Sequence, residues 1–164
     1  MRNKLEMNIL KALLVISVGL FINLIRKPPI KDWLLVFFLK SYFATFIDNL
    51  LVRKGFLKYP VNLISGFDIS VLFSYILFPI SCVYFNQITK SSSVFDILKK
   101  CLYFSVPSAV VEHFLERNTK LISYKKSWNS FYSFLSIAFS FLIVRGFMGM
   151  IRNLSRTQAH HEKL

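Results

Sequence analysis

Glycine and proline are scarce in this chain, five of each among 164 residues, which argues against a loop-rich or disordered polymer. Cysteine is scarcer still. Cys82 and Cys101 each sit inside an apolar block, which excludes a disulfide framework and leaves the redox compartment open. Acidic residues number 8 against 21 Lys and Arg, for a net charge of +13. In a soluble protein that imbalance would suggest nucleic acid, but no recognition module is present to read one. No nucleic-acid partner is expected, and bases flanking apolar blocks suit lipid phosphates better. Phosphate-binding glycine loops, His-Glu-x-x-His, Gly-x-Ser-x-Gly and Cys-x-x-Cys pairs are all missing. That removes the positive case for an enzyme, and no cofactor is called for.

What the chain does have is hydrophobic length. Apolar residues make up 54%, aromatics 16%, with 18 Phe, and mean hydropathy is +0.50. The apolar residues fall in blocks too long for a soluble core. They predict a single membrane domain, an all-α integral bundle of about five transmembrane helices over 9–25, 33–52, 69–88, 97–115 and 128–151, with a polar tail over 152–164. Strand-period alternation does not recur, so a β-barrel does not fit. The basic start ahead of the first block resembles a signal peptide, but Arg26-Lys27-Pro28-Pro29 follows where a small-residue cleavage site would lie. An uncleaved first helix is expected. Trp33 and Trp128 open their blocks as interfacial aromatics, and Pro79 and Pro107 predict bends. Lys and Arg in the loops tie at nine on each face, with Lys11, Lys40 and Arg145 inside helices. The three bases after the first helix lean the chain to N-outside, C-inside, while the tie itself keeps dual insertion open.

Ionisable groups inside spans are the natural functional candidates, since each costs about 2.5–3.5 kcal/mol at a helix centre. Lys40 and Arg145 lie within reach of one interface, and snorkelling of their stems is the expected outcome. Asn86 or a lipid phosphate is the other partner available to them. Asp48 lies nearer the opposite face, two turns and more from Lys40, so no direct ion pair forms. At that face Glu112, His113 and Glu116 gather with Tyr59, Tyr124, Trp128 and Asp48. Two or three carboxylates with a histidine would suit a cation; pairing of helix-end acids with Arg117, Lys120 or Lys125 is the favoured alternative. Small-residue stripes, Ala12/Gly19/Asn23, Ser41/Ala44/Thr45/Asp48, Ser105/Ser108/Ala109 and Ser130/Ser133/Ser136/Ser140, predict close helix packing. The His160-His161 pair is expected to be solvated.

Tyr59-Pro60, then Pro79, Cys82 and Phe85-Asn86, then Glu112, Glu116, Thr119, Leu121-Ile122, Tyr124 and Trp128 follow in an order and spacing that carry a resemblance. From Tyr59 onward the chain resembles an uncharacterised family of small multi-pass membrane proteins of spore-forming, low-GC Gram-positive bacteria. Asp48 and the loop after Asn86 depart from its pattern. The resemblance implies a bacterial cytoplasmic membrane, or a spore-associated one, and no activity. Function is then expected to be a non-enzymatic membrane module that binds the lipid bilayer and partner proteins, or a second copy of itself. The alternative is a small transporter or channel component with a polar path near Glu112, Glu116 and Lys40.

Overall fold

The computed structural model describes residues 2–64 and 66–161. It contains five α-helices: α1 (Arg2–Ile25), α2 (Ile30–Arg53), α3 (Phe78–Ile88), α4 (Val94–Asn118) and α5 (Ser130–His161). A π-helical stretch, Phe73–Leu77, leads into α3. Two short strands were not anticipated. β1 (Leu57–Lys58) and β2 (Ser123–Tyr124) pair antiparallel, Leu57 opposite Tyr124.

Three stretches are long and apolar enough to cross a membrane, Lys4–Ile25, Ile30–Arg53 and Ser130–Gln158. The helix Phe73–Ile88 is apolar but shorter, about 24 Å at 1.5 Å per residue. α4 carries charges toward both ends, Asp96, Lys99 and Lys100 at one and Glu112, Glu116 and Arg117 at the other. Helix ends run beyond the apolar blocks. α1 begins at Arg2 and α5 continues to His161, through much of the predicted polar tail. Hydropathy marks where lipid could lie, not where backbone hydrogen bonding stops. Residues 162–164 of that tail lie outside the described residues.

α3 is the central helix. It packs against α1, α2, α4 and α5, and Ile80, Cys82, Val83, Phe85 and Asn86 are buried along it. Around it the neighbours run α1, α2, α5, α4, while α1 and α4 pack on each other little. The ring is therefore open along one side. Its core is aromatic: Phe85 stacks on Phe141 at 5.6 Å and meets Phe104 at 5.9 Å. The α1 packing face differs from the expected stripe. Leu10, Ser17 and Leu24 are buried, whereas Ala12 and Gly19 are exposed. Leu10, Ser17 and Leu24 recur every seven residues, two helical turns, and so share one face.

Local chemistry sets the helix ends. α2 stops in a Schellman motif: the Phe56 N–H donates to the Leu51 carbonyl and the Gly55 N–H to the Val52 carbonyl, both at 2.9 Å. Gly55 adopts φ +74°, a conformation that costs other residues strain. The Ser93 hydroxyl caps α4 by accepting from the Asp96 N–H at 3.2 Å. Pro79 has no N–H for the Tyr75 carbonyl one turn back, and the Ser41 hydroxyl of α2, shared between the Phe37 carbonyl at 2.9 Å and this one at 3.3 Å, is the side-chain donor near it. Leaving it unpaired would cost about 1–3 kcal/mol.

Candidate functional site

The end of the bundle that carries β1 and β2 holds most of the polar side chains predicted to matter. Glu112 projects from the last two turns of α4. Its Oε1 accepts the Ser133 hydroxyl at 2.7 Å and the Tyr124 phenol at 3.0 Å. Ser133 also accepts from the Trp128 indole at 2.9 Å, and Trp128 lies 5.8 Å from Phe56 and 5.7 Å from Tyr132. The β1–β2 bridge puts Tyr124 there, since pairing with Leu57 fixes the loop after α4 over the end of the bundle. Burial pushes the Tyr124 phenol up, and the neighbouring Glu112 adds to it, so the group stays an O–H donor.

A second set adjoins the first. Asp48 on α2 accepts the Ser74 hydroxyl of the π stretch. Buried Tyr59 lies between the two carboxyls; desolvation, with Asp48 and Glu112 beside it, holds its phenol well above the usual range. Expected helix-end ion pairs with Arg117, Lys120 or Lys125 are not made. Among the described residues the one ion pair is Arg152 to Asp32, 2.8 Å, at the other end. Glu112 turns into the bundle, where hydroxyls surround it, while those bases sit outside. Glu116 has no bond to another described side chain. His113 faces away from Glu112, 2.7 Å from the Ser130 hydroxyl on the outer surface. No group of three His, Cys, Asp or Glu is close enough to hold a metal among the described residues.

Lys40 is not at an interface. It is 2% exposed, donates to the Ser140 hydroxyl, and lies over the rings of Phe141 at 4.8 Å and Phe78 at 5.8 Å. Snorkelling is ruled out by the packing of α2 against α3 and α5, which closes over the stem. Asn86 is buried but donates to the Cys82 carbonyl at 2.9 Å, within its own helix. Arg145 does not snorkel either. It caps the C-terminal end of α3, its guanidinium donating to the Thr89 carbonyl at 2.9 Å and hydroxyl at 3.1 Å. Cys82 and Cys101 are free thiols, both buried.

Beneath the Glu112 cluster lies a cavity of about 260 Å³. It occupies the open side of the ring, between α1 and α4 and over the π stretch and α3. Leu13, Phe73, Leu77, Phe78, Val111 and Leu115 supply apolar wall, and Glu112 and Tyr59 are among its polar lining. Pro107 and Val111 on its rim are exposed. Ile122 and Tyr59, both buried, belong to the segments bridged by β1 and β2 and close its polar end. A contact from the Lys120 N–H to buried Glu6 of α1, 3.2 Å, ties that cover to the first helix. Sequence reasoning found Glu112, Tyr59 and Tyr124. It missed Glu6 and Ser74, which no pattern marked, and noticed Ser133 and Ser140 only as packing residues. Comparison of the chain with family models, with curated proteins and with solved structures finds no match.

Proposed function

We propose that this chain is a five-span membrane bundle that acts as a non-enzymatic binding module for a lipid-type molecule. The cavity in the open side of the ring carries the proposal. Its volume is near the lower end of ligand pockets, about 300–1,000 Å³, and its wall is mostly apolar, with Tyr59, Ser81, Ser108 and Glu112 as its polar lining. An apolar wall with a few polar groups suits an amphiphile. A concave site built from one chain favours a lipid over a partner protein. Packing supports the two additional spans. The outer face of α4 exposes Phe95, Leu98, Leu102, Tyr103, Val106, Val110 and Phe114, a patch that water would not tolerate. The short helix through α3 is shielded by four neighbours, so its own hydropathy matters less. The resemblance adds a bacterial cytoplasmic membrane, or a spore-associated one, as the location.

Native mass spectrometry of the full chain released from a mild detergent tests this reading. Wild-type protein should retain one lipid per chain. Ser81→Phe, which fills the cavity from α3, should lose it while the melting temperature of the bundle holds. Equal retention by both proteins would end the proposal.

A second reading, a transporter or channel component, is favoured by one observation. Glu112 meets Ser133 and Lys40 meets Ser140 on α5, with Ser136 between them; the Ser136 and Ser140 hydroxyls donate to the backbone carbonyls of Ser133 and Ile137. On that reading Glu112→Gln and Lys40→Met each abolish an ion flux in proteoliposomes without changing insertion. Normal flux in both removes it.

A further inference from the structure

We infer that the cavity selects a single-chain amphiphile bearing a primary ammonium headgroup, which enters between α1 and α4 and donates to the free oxygen of Glu112. The inference rests on the lipid-binding reading and adds the headgroup chemistry.

Unmet valence among the lining groups is the argument. Ser81 and Ser108 are engaged, their hydroxyls donating to the carbonyls of Leu77 at 3.0 Å and Phe104 at 2.7 Å on their own helices. The Tyr59 phenol has Asp48 as its hydrogen-bond partner. Glu112 is different. Both of its hydrogen bonds enter Oε1, so no described residue satisfies Oε2, and Glu112 lines the cavity. Tyr124 and Ser133 also fix the carboxyl plane in advance, so a ligand meets an oriented acceptor and little ordering is needed on binding.

Charge then separates the headgroups. No Lys, Arg or His lines the cavity. A phosphate or carboxylate headgroup would meet Glu112 with no base to offset the repulsion, in surroundings of low dielectric. A hydroxyl headgroup would make one neutral hydrogen bond. An ammonium makes a charge-assisted one and neutralises the carboxyl. The tail would lie along Leu13, Phe73, Leu77 and Leu115. At about 260 Å³ the cavity has room for one alkyl chain. The gap between α1 and α4 provides the route from the bilayer, since those helices pack on each other little.

The test uses the full chain in nanodiscs of zwitterionic lipid and three diazirine-bearing probes of equal chain length: dodecylamine, dodecanol and dodecanoate. Photolabelling of cavity-wall peptides is read against probe concentration. The amine should half-saturate at about tenfold lower concentration than the alcohol, the ratio expected of one charge-assisted hydrogen bond over a neutral one. The carboxylate should label other surfaces only. Glu112→Gln should bring amine and alcohol together while alcohol labelling stays unchanged. Equal labelling of the cavity by amine and alcohol in the wild-type chain would overturn the headgroup inference and leave lipid binding standing. Cavity labelling by the carboxylate as strong as by the amine would overturn it too. No cavity labelling by any probe would sink both. The three-probe comparison needs no variant, so a Glu112→Gln chain that fails to insert does not shield the inference.

Discussion

Lys40 carries an ammonium at 2% exposure with no carboxylate bonded to it. Burying a charge this way is costly, and removing a buried ion in favour of an apolar side chain of similar shape is often neutral or stabilising, by about 1–4 kcal/mol. Here the ammonium has one hydroxyl partner, Ser140, and two ring faces, Phe141 and Phe78. Two opposite outcomes follow. Lys40→Met keeps the stem and drops the charge, so thermal stability in detergent should hold or rise. Ser140→Ala leaves the charge and removes its one hydrogen-bond acceptor, and should destabilise the bundle by about 1–3 kcal/mol. Paired melts of the two variants check this. A Lys40→Met chain that melts as low as Ser140→Ala would mean that the ammonium has stronger support than these contacts. The sequence marks Lys40 as unusual because a base interrupts an apolar block. It does not reveal Ser140 as the partner, because the two are 100 positions apart and meet only after α2 and α5 pack. Arg145 teaches the same lesson. Rise per residue shows that its stem could reach an interface, but a helix C-terminus with unpaired carbonyls was closer, and Thr89 took the guanidinium.

At the level of elements, the interiors of the helices were legible and their ends were not. Uniform apolar blocks force the backbone to satisfy itself, so α2 and α5 lie where hydropathy placed them. The ends depend on capping and on single contacts. α5 persists past 151, and Arg152 holds that extension to Asp32 of α2 at 2.8 Å. Pro79 was legible as a disturbance, though not as the junction between the π stretch Phe73–Leu77 and α3, because the shift from one backbone register to the other leaves no mark in hydropathy. The β1–β2 bridge had no signal at all. Two residues per strand are too few for a periodic pattern, and the pairing joins Leu57 to Tyr124, 67 positions apart. Yet that bridge assembles the candidate site, since it brings Tyr124 to Glu112 and closes the cavity with Ile122. Glu112 and Tyr124 could be suspected separately from their positions at the same predicted depth. Their contact was a tertiary event.

The arrangement of the whole molecule turns these contacts into a statement about crossing. β1 follows α2 and β2 follows α4, so their pairing fixes both loops at one end of the bundle. The Lys126 ammonium, which donates to the Lys54 carbonyl, holds the same two loops together. Thr89 after α3 meets Arg145 midway along α5, and Arg152 further on meets Asp32 in the first turn of α2, which gathers the other loops at the opposite end. On the five-span reading proposed above, the two termini lie on opposite faces. Lys and Arg tie between those faces, so charge gives the direction only weakly, and the paired loops support the grouping. Single cysteines at the exposed positions Lys27, Lys54, Lys90 and Lys125, in a chain with Cys82 and Cys101 replaced by Ala, read the grouping through a membrane-impermeant maleimide on sealed vesicles. Lys27 and Lys90 should label from one face and Lys54 and Lys125 from the other. If Lys54 and Lys90 label from the same face, the helix through α3 does not cross. If Lys90 and Lys125 do, α4 does not. Either pattern would leave the cavity facing something other than the bilayer interior, and the lipid route between α1 and α4 would have no source.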